Sequence, residues 1–166
     1  MRNHKGFSLI ELLLVVAIIL IIAAIAVPNF LRSRMAANEA SAVASLHNIE
    51  SAQVAYTSTY PTFGFAPDLN TLGPGTPNNT TADSTNALLL DIVLGCPTGV
   101  GTAPCQKSGY NFYITASGVA PIGSYTVNAD PAAFGKTGQR YFYSDISGVI
   151  RYNATAIATA GDQPLQ

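Results

Sequence analysis

The 166-residue sequence predicts an α+β protein. We expect a long, kinked N-terminal helix, membrane-spanning in its first half, packed against a C-terminal antiparallel sheet of about four strands. Three observations predict this class. An unbroken apolar run covers residues 7–27, an amphipathic helical pattern continues to about Ser58, and partly alternating runs occupy the C-terminal third.

The apolar run is long enough to cross a bilayer. Its 21 residues would make about 31 Å of helix at about 1.5 Å per residue, close to the thickness of a hydrocarbon core. Glu11 lies inside this run, near its start. A carboxylate there costs roughly 2.5 to 3.5 kcal/mol on insertion scales, so it needs a partner or a use.

Helical patterning resumes after Pro28, although proline removes a backbone donor and crowds the preceding turn. No glycine or further proline occurs until Pro61. Apolar residues then recur three or four positions apart, as on one face of an amphipathic helix. They are Ala42, Leu46, Ile49, Ala52 and Tyr56. The pattern predicts one helix over residues 7–58, kinked at Pro28.

The remaining chain predicts a head domain over residues 59–166. Turn-forming residues dominate 59–85, and Ser84, Thr85 and Asn86 offer an N-cap for a short apolar helix over 87–94. Four strand-like runs follow, and an antiparallel meander of these runs over the helical stripe would bury both apolar faces. The runs cover residues 110–116, 124–129, 139–144 and 149–152.

Cys96 and Cys105 lie in a loop-like stretch with no histidine nearby, so a zinc site is poorly supported. An even cysteine count in an exported chain predicts a disulfide instead. In the chain-entropy model, closing so short a loop contributes somewhat under about 3 kcal/mol.

The sequence predicts no catalytic site and no cofactor. Net charge is −1 and no basic cluster follows Arg34, so nucleic-acid binding has no electrostatic footprint. His47 and Glu50 are three apart on the helix and predict a surface pair. Three aspartates, which we place in C-terminal loops, are candidates for a calcium ion, although such residues more often form turns. They are Asp130, Asp145 and Asp162.

The N-terminus allows three interpretations. A secretory signal would end in a small-residue site at residues 24–26, but Glu11 interrupts its apolar core. A plain membrane anchor explains the length of the run and leaves Gly6 and Glu11 unexplained. In the third interpretation the chain is cut between Gly6 and Phe7, and the mature protein keeps its anchor.

Residues 5–13, Lys-Gly-Phe-Ser-Leu-Ile-Glu-Leu-Leu, resemble the prepilin signature of type IV pilins and of type II secretion pseudopilins. The resemblance implies a leader over residues 1–6, cleavage after Gly6 by a prepilin peptidase, and methylation of the Phe7 amine. It makes residues 7–27 the filament core and gives Pro28 the position of a helix kink. Glu11 and the Phe7 amine would pair, within one subunit or between neighbours, and set the register of assembly.

The resemblance implies a structural subunit and no enzyme. We expect a major pilin that waits in the inner membrane and then polymerises with itself into a surface filament, with the prepilin peptidase and an assembly platform as partners. One alternative is the major pseudopilin of a type II secretion system. A second alternative is a secreted binding domain cleaved after Ala26.

Overall fold

The structure is a computed structural model that describes residues 7–76, 78–96 and 104–165. The chain divides into two compact units, Met1–Arg34 and Met35–Gln166. The first unit contains the apolar part of one helix. The second contains the rest of that helix, a long connection and a sheet. The predicted leader, including Gly6, lies outside the described residues.

Helix α1 extends over Leu9–Thr59 without interruption and contains Pro28 in its interior. This confirms the single long helix that the sequence predicts, within two residues at each end. The kink at Pro28 stays a prediction. Within the described part of the chain, α1 is the helix long and apolar enough to cross a membrane.

The second half of α1 buries the stripe that its sequence predicts. All five predicted residues are at most 5% exposed, namely Ala42, Leu46, Ile49, Ala52 and Tyr56. They pack into a core with apolar residues of the sheet, among them Tyr110, Phe112, Val127, Ala129 and Phe142. The alternation along the strands places these residues on one face, which is why the helix and the sheet share a single core.

The sheet is an antiparallel meander of six strands whose spatial order is their order in the chain. The strands are β1 Cys105–Lys107, β2 Tyr110–Ser117, β3 Ser124–Pro131, β4 Tyr141–Asp145, β5 Arg151–Asn153 and β6 Gln163–Pro164. The α+β class is confirmed, and the central four strands correspond to the predicted runs. The edge strands β1 and β6 have three and two residues, too few to show an alternation in the sequence.

The predicted helix over residues 87–94 is wrong, because this segment has no regular secondary structure and ends in a turn. The N–H of Ala87 donates to the carbonyl of Thr71, and those of Leu89 and Leu90 donate to the carbonyl of Leu72. These tertiary hydrogen bonds replace the bonds that a helix would make. They also bury Ala87, Leu90 and Leu94 in the core.

A short helix, α2, spans Leu69–Leu72 within the connection, where the sequence shows only turn residues. The Asp68 carboxylate caps it by accepting from the N–H of Thr71 at 2.8 Å. A second anchor is Gln53 on α1, which is fully buried. Its side chain donates to the Ala66 carbonyl at 3.0 Å and accepts from the Ala66 N–H at 2.8 Å. The start of the connection, at Ala66, is therefore fixed to α1.

Candidate assembly site on the N-terminal helix

The Glu11 carboxylate caps the helix that carries it. Ser8 directly precedes α1, and its backbone N–H donates to Oε2 of Glu11 at 2.8 Å. The carbonyl of Ser8 in turn accepts from the N–H groups of Glu11 and Leu12. This is the glutamate arm of a capping box, and its Ser-x-x-Glu signal was present in the sequence but was not used in the prediction. Glu11 therefore has a hydrogen-bond partner within its own chain.

The surface around Glu11 is apolar on every side. No side chain among residues 7–34 is buried, and Phe7 is 86% exposed. A helix that is apolar all round is covered by lipid or by other protein, since water does not solvate it favourably. The first unit therefore presents a surface that lipid or other protein must cover. The pairing of the Phe7 amine with Glu11 stays a prediction.

The apolar surface ends in a short basic segment. Phe30 and Leu31 are 66% and 49% exposed, and the Arg32 and Arg34 side chains that follow are also exposed. Arginines at this position can lie at a membrane surface, where their charged heads reach water.

The predicted disulfide between Cys96 and Cys105 is formed, with Cα atoms 5.4 Å apart. It connects the end of the helix–sheet connection to β1 at the edge of the sheet. An ion pair reinforces the same junction, since Lys107 Nζ lies 2.6 Å from Oδ2 of Asp91. Partial burial acts to raise the pKa of Asp91, but hydrogen bonds from Lys107 and from the Leu94 N–H lower it overall.

The predicted pair of His47 and Glu50 is confirmed, with His47 Nδ1 at 3.1 Å from Glu50 Oε2. The other oxygen of Glu50 accepts from the hydroxyl of Ser144, which is fully buried in β4. The serine thus contacts the carboxylate and not the imidazole. In a catalytic triad the hydroxyl contacts the imidazole, and the carboxylate contacts only the imidazole. This cluster therefore links α1 to the sheet and is not a catalytic triad.

The three calcium candidates do not converge. Among residues 7–76, 78–96 and 104–165 there is no group of three histidine, cysteine or acidic residues that could hold a metal. Asp145 and Asp162 form turns by accepting from the N–H groups of Ser147 and Thr159. Hydrogen bonding by the side chain and then the N–H of Ser147 lowers the pKa of Asp145, and the Thr159 N–H lowers the pKa of Asp162.

Asp145 is the last residue of β4, so its placement in a loop was wrong. Asp130 likewise belongs to a strand, β3. Its carboxylate accepts a short hydrogen bond from the hydroxyl of Tyr113 on β2. Burial raises the pKa of Asp130, and the Tyr113 hydrogen bond opposes this only in part. Desolvation, the hydrogen bond and the charge of Asp130 together raise the pKa of Tyr113. The placement of Asp130 in a C-terminal loop was wrong because β3 extends two residues beyond the predicted strand.

A polar contact that the sequence did not reveal joins α1 to the loop before β4. Glu39 accepts from the N–H of Gln139 and from Nε of Arg140, both at 2.8 Å. The Arg140 guanidinium lies 5.4 Å from the ring centroids of Phe142 and Tyr152. No local sequence pattern predicts this contact, because its partners are about a hundred residues apart in the chain.

Comparison with known proteins finds one family model and two pilin relatives. Residues 1–27 match the family model described as the prokaryotic N-terminal methylation motif. The chain is 50% identical over 56 residues to the type IV wide pilus major component PilA4 of Thermus thermophilus, which covers 34% of this chain and 43% of the relative. It is 42% identical over 73 residues to the type IV major pilin protein PilA of Myxococcus xanthus, which covers 40% of this chain and 33% of the relative.

The matches thus span less than half the length of either relative. No solved structure matches the chain. The methylation motif, the two pilin relatives and the long helix packed on an antiparallel sheet agree with one another. The chain is therefore similar to type IV pilins over part of its length.

Proposed function

We propose that the chain is a major pilin. It is cleaved after Gly6 by a prepilin peptidase, methylated on the amine of Phe7, held in the inner membrane and polymerised into a type IV pilus on the cell surface. The observation that supports this most directly is α1 itself. Its first half, to Arg34, buries no side chain, whereas its second half belongs to the core of the folded unit.

Assembly moves the apolar half of α1 from lipid into a bundle of neighbouring helices. Lipid tails are as apolar as the helix, so the net driving force comes from helix packing and polar pairing more than from the exclusion of water. The methylated Phe7 amine keeps a positive charge and can neutralise Glu11 in this environment. The similarity to two major pilins favours a pilus subunit over a secretion pseudopilin.

The N-terminus of the mature protein tests processing. We expect mass spectrometry of sheared surface filaments to find a chain that begins with N-methylated Phe7. A chain that begins at Val27 would establish a cleaved signal peptide and a secreted domain. An unprocessed chain in the membrane, with no filaments, would also contradict the proposal.

The capping contact allows a sharper test of Glu11. Glu11→Gln keeps an acceptor for the Ser8 N–H, because glutamine also serves in a capping box, but removes the charge. Glu11→Ala removes both. If charge pairing governs assembly, both variants are processed normally and both fail to form normal filaments. Normal filaments from Glu11→Gln would show that the cap is sufficient and that the pairing with Phe7 is not needed.

A further inference from the structure

Residues 132–140, between β3 and β4, form a loop that is hydrogen-bonded within itself. The N–H groups of Lys136 and Thr137 both donate to the carbonyl of Ala133. Within this loop only Gly138 is buried. The loop is therefore an ordered piece of chain that contributes little apolar surface to the core.

The hydrogen bonds between the loop and α1 involve two consecutive residues of the helix. Asn38 donates through its Nδ2 to the carbonyl of Thr137 at 2.9 Å. The Glu39 carboxylate accepts from the N–H of Gln139 and from Nε of Arg140. Glu39 is buried although it carries a charge, and the loop supplies the cation that compensates it.

The loop also covers one end of the core. The hydroxyl of Tyr110, which is completely buried, donates to the carbonyl of Arg140 at 2.8 Å. Gly138 lies so close to this tyrosine that a Cβ at its position would be 2.0 Å from the hydroxyl oxygen. The N–H of Ala132 donates to the carbonyl of Gly109, in the turn before β2, at 2.9 Å. If the loop moved away, the polar end of Tyr110 would be uncovered.

We propose that residues 132–140 are a latch over this end of the core, which Glu39 holds closed and which opens while α1 and the central strands stay folded. A segment that buries few apolar residues opens locally at a lower free energy than the core. Glu39 is the decisive contact, because it accepts two hydrogen bonds from the latch and bonds to a charged group are stronger than neutral ones. The closed latch fixes one defined surface, on which Phe134 and Lys136 are exposed. This inference concerns the folded unit and does not depend on the proposed function.

Hydrogen exchange of the full chain in detergent micelles, followed residue by residue by NMR, tests the latch in the wild type. The amides of Ala132 and Gln139 bond to groups outside the latch. We expect them to exchange together and at least about tenfold faster than the hydrogen-bonded amides of β2 and β3. Equal protection of the latch and strand amides would show that the loop belongs to the cooperative core, and would overturn the proposal.

Glu39→Ala tests what holds the latch closed. The amide of Ala132 reports opening, because its own acceptor, the carbonyl of Gly109, is not changed by the substitution. We expect its exchange to become about tenfold faster or more, while the amides of β2 keep their rates. Glu39→Gln keeps a neutral acceptor for the N–H of Gln139 and should cause a smaller increase. An unchanged Ala132 amide in Glu39→Ala, or an equal increase in β2, would contradict the latch.

Glu50→Ala is the matched control, because Glu50 is a second partly buried carboxylate on α1 and contacts β4 instead of the latch. It should leave exchange at Ala132 unchanged, and an increase as large as that of Glu39→Ala would overturn the proposal. Gly138→Ala opens the latch by a different route, since the added Cβ collides with Tyr110. Adding Glu39→Ala to this background should then change exchange at Ala132 very little. Additive effects of the two substitutions would mean that Glu39 does not act through the latch.

Discussion

The two halves of α1 differ in how they use apolar residues. Before Arg34 the helix is apolar on all sides and no side chain is buried. After Arg34 it carries fewer apolar residues, yet Leu46 and Ile49 are completely buried. Burial within the folded chain thus follows the spacing of apolar residues and not their number. A stripe on one face specifies a packed partner in the same chain, whereas a helix that is apolar all round can be covered by lipid or by another protein.

Two leucine variants should show the largest difference in stability between the two halves of α1. Leu46→Ala empties space in the core, because Leu46 is 0% exposed, and should lower the free energy of unfolding by about 2 to 5 kcal/mol. Leu13→Ala, at a position 62% exposed, should leave it unchanged. Urea unfolding of the full chain in detergent micelles measures both. Equal losses would mean that the first half of α1 also stabilises the folded unit.

Loss of the disulfide should have the next largest effect. Cys96 and Cys105 are separated by 9 positions, and closing a loop of this length stabilises a fold by about 2 to 3 kcal/mol in the chain-entropy model. Cys96→Ser with Cys105→Ser should lose this amount in the same unfolding experiment. Reduction of the wild type with a thiol should reproduce the loss. A reduced chain as stable as the oxidised one would assign no stabilising role to the bond.

Gln53→Ala tests whether the helix–sheet connection depends on α1. The substitution leaves both the N–H and the carbonyl of Ala66 without their partner, which costs about 1 to 3 kcal/mol for a buried group. We expect faster hydrogen exchange at the Ala66 amide and a matching loss of stability. Ser51→Ala on the exposed face is the control. Unchanged exchange at Ala66 would show that other contacts hold the connection.

The smallest expected effect is a change in how the free energy of unfolding depends on pH. Burial raises the pKa of Asp130 above its usual 3.8. At pH values between 3.8 and the raised pKa, the folded chain binds more protons than the unfolded chain. The contribution of Asp130 to stability is therefore present below pH 3.8 and declines as the pH rises through the raised pKa. Asp130→Asn should therefore gain stability relative to wild type as the pH rises from about 4 towards neutral. The unfolding free energies of both proteins across this range measure it.

Asp162→Asn provides the opposite sign as a control. Hydrogen bonds from Thr159 and Asn153 lower the pKa of Asp162 below 3.8. Its contribution is present above pH 3.8 and declines as the pH falls through the lowered value. Asp162→Asn should therefore have a lower free energy of unfolding than the wild type near neutral pH, and this difference should disappear in acid. Parallel pH profiles for the two variants would contradict both assignments.

The local patterns of the sequence determined much of this protein. The apolar run, the helical stripe and the central strands were predictable because each depends on spacing within a few turns or a few residues. The Gly-Phe-x-x-x-Glu signature over residues 6–11 indicated the similarity to type IV pilins for the same reason. The Ser-x-x-Glu cap at Ser8 and Glu11 was equally local and could have been found.

Other features were decided only by the tertiary structure. Residues 87–94 have an apolar composition that suits a helix, but the carbonyls of Thr71 and Leu72 accept N–H groups from the first half of this segment and hold it in an irregular conformation. The contact of Glu39 with Arg140 and the groove between Ala52 and Leu89 likewise join distant parts of the chain. A sequence pattern reports only on near neighbours, whereas hydrogen-bond partners and cavities depend on which segments the packed core brings together.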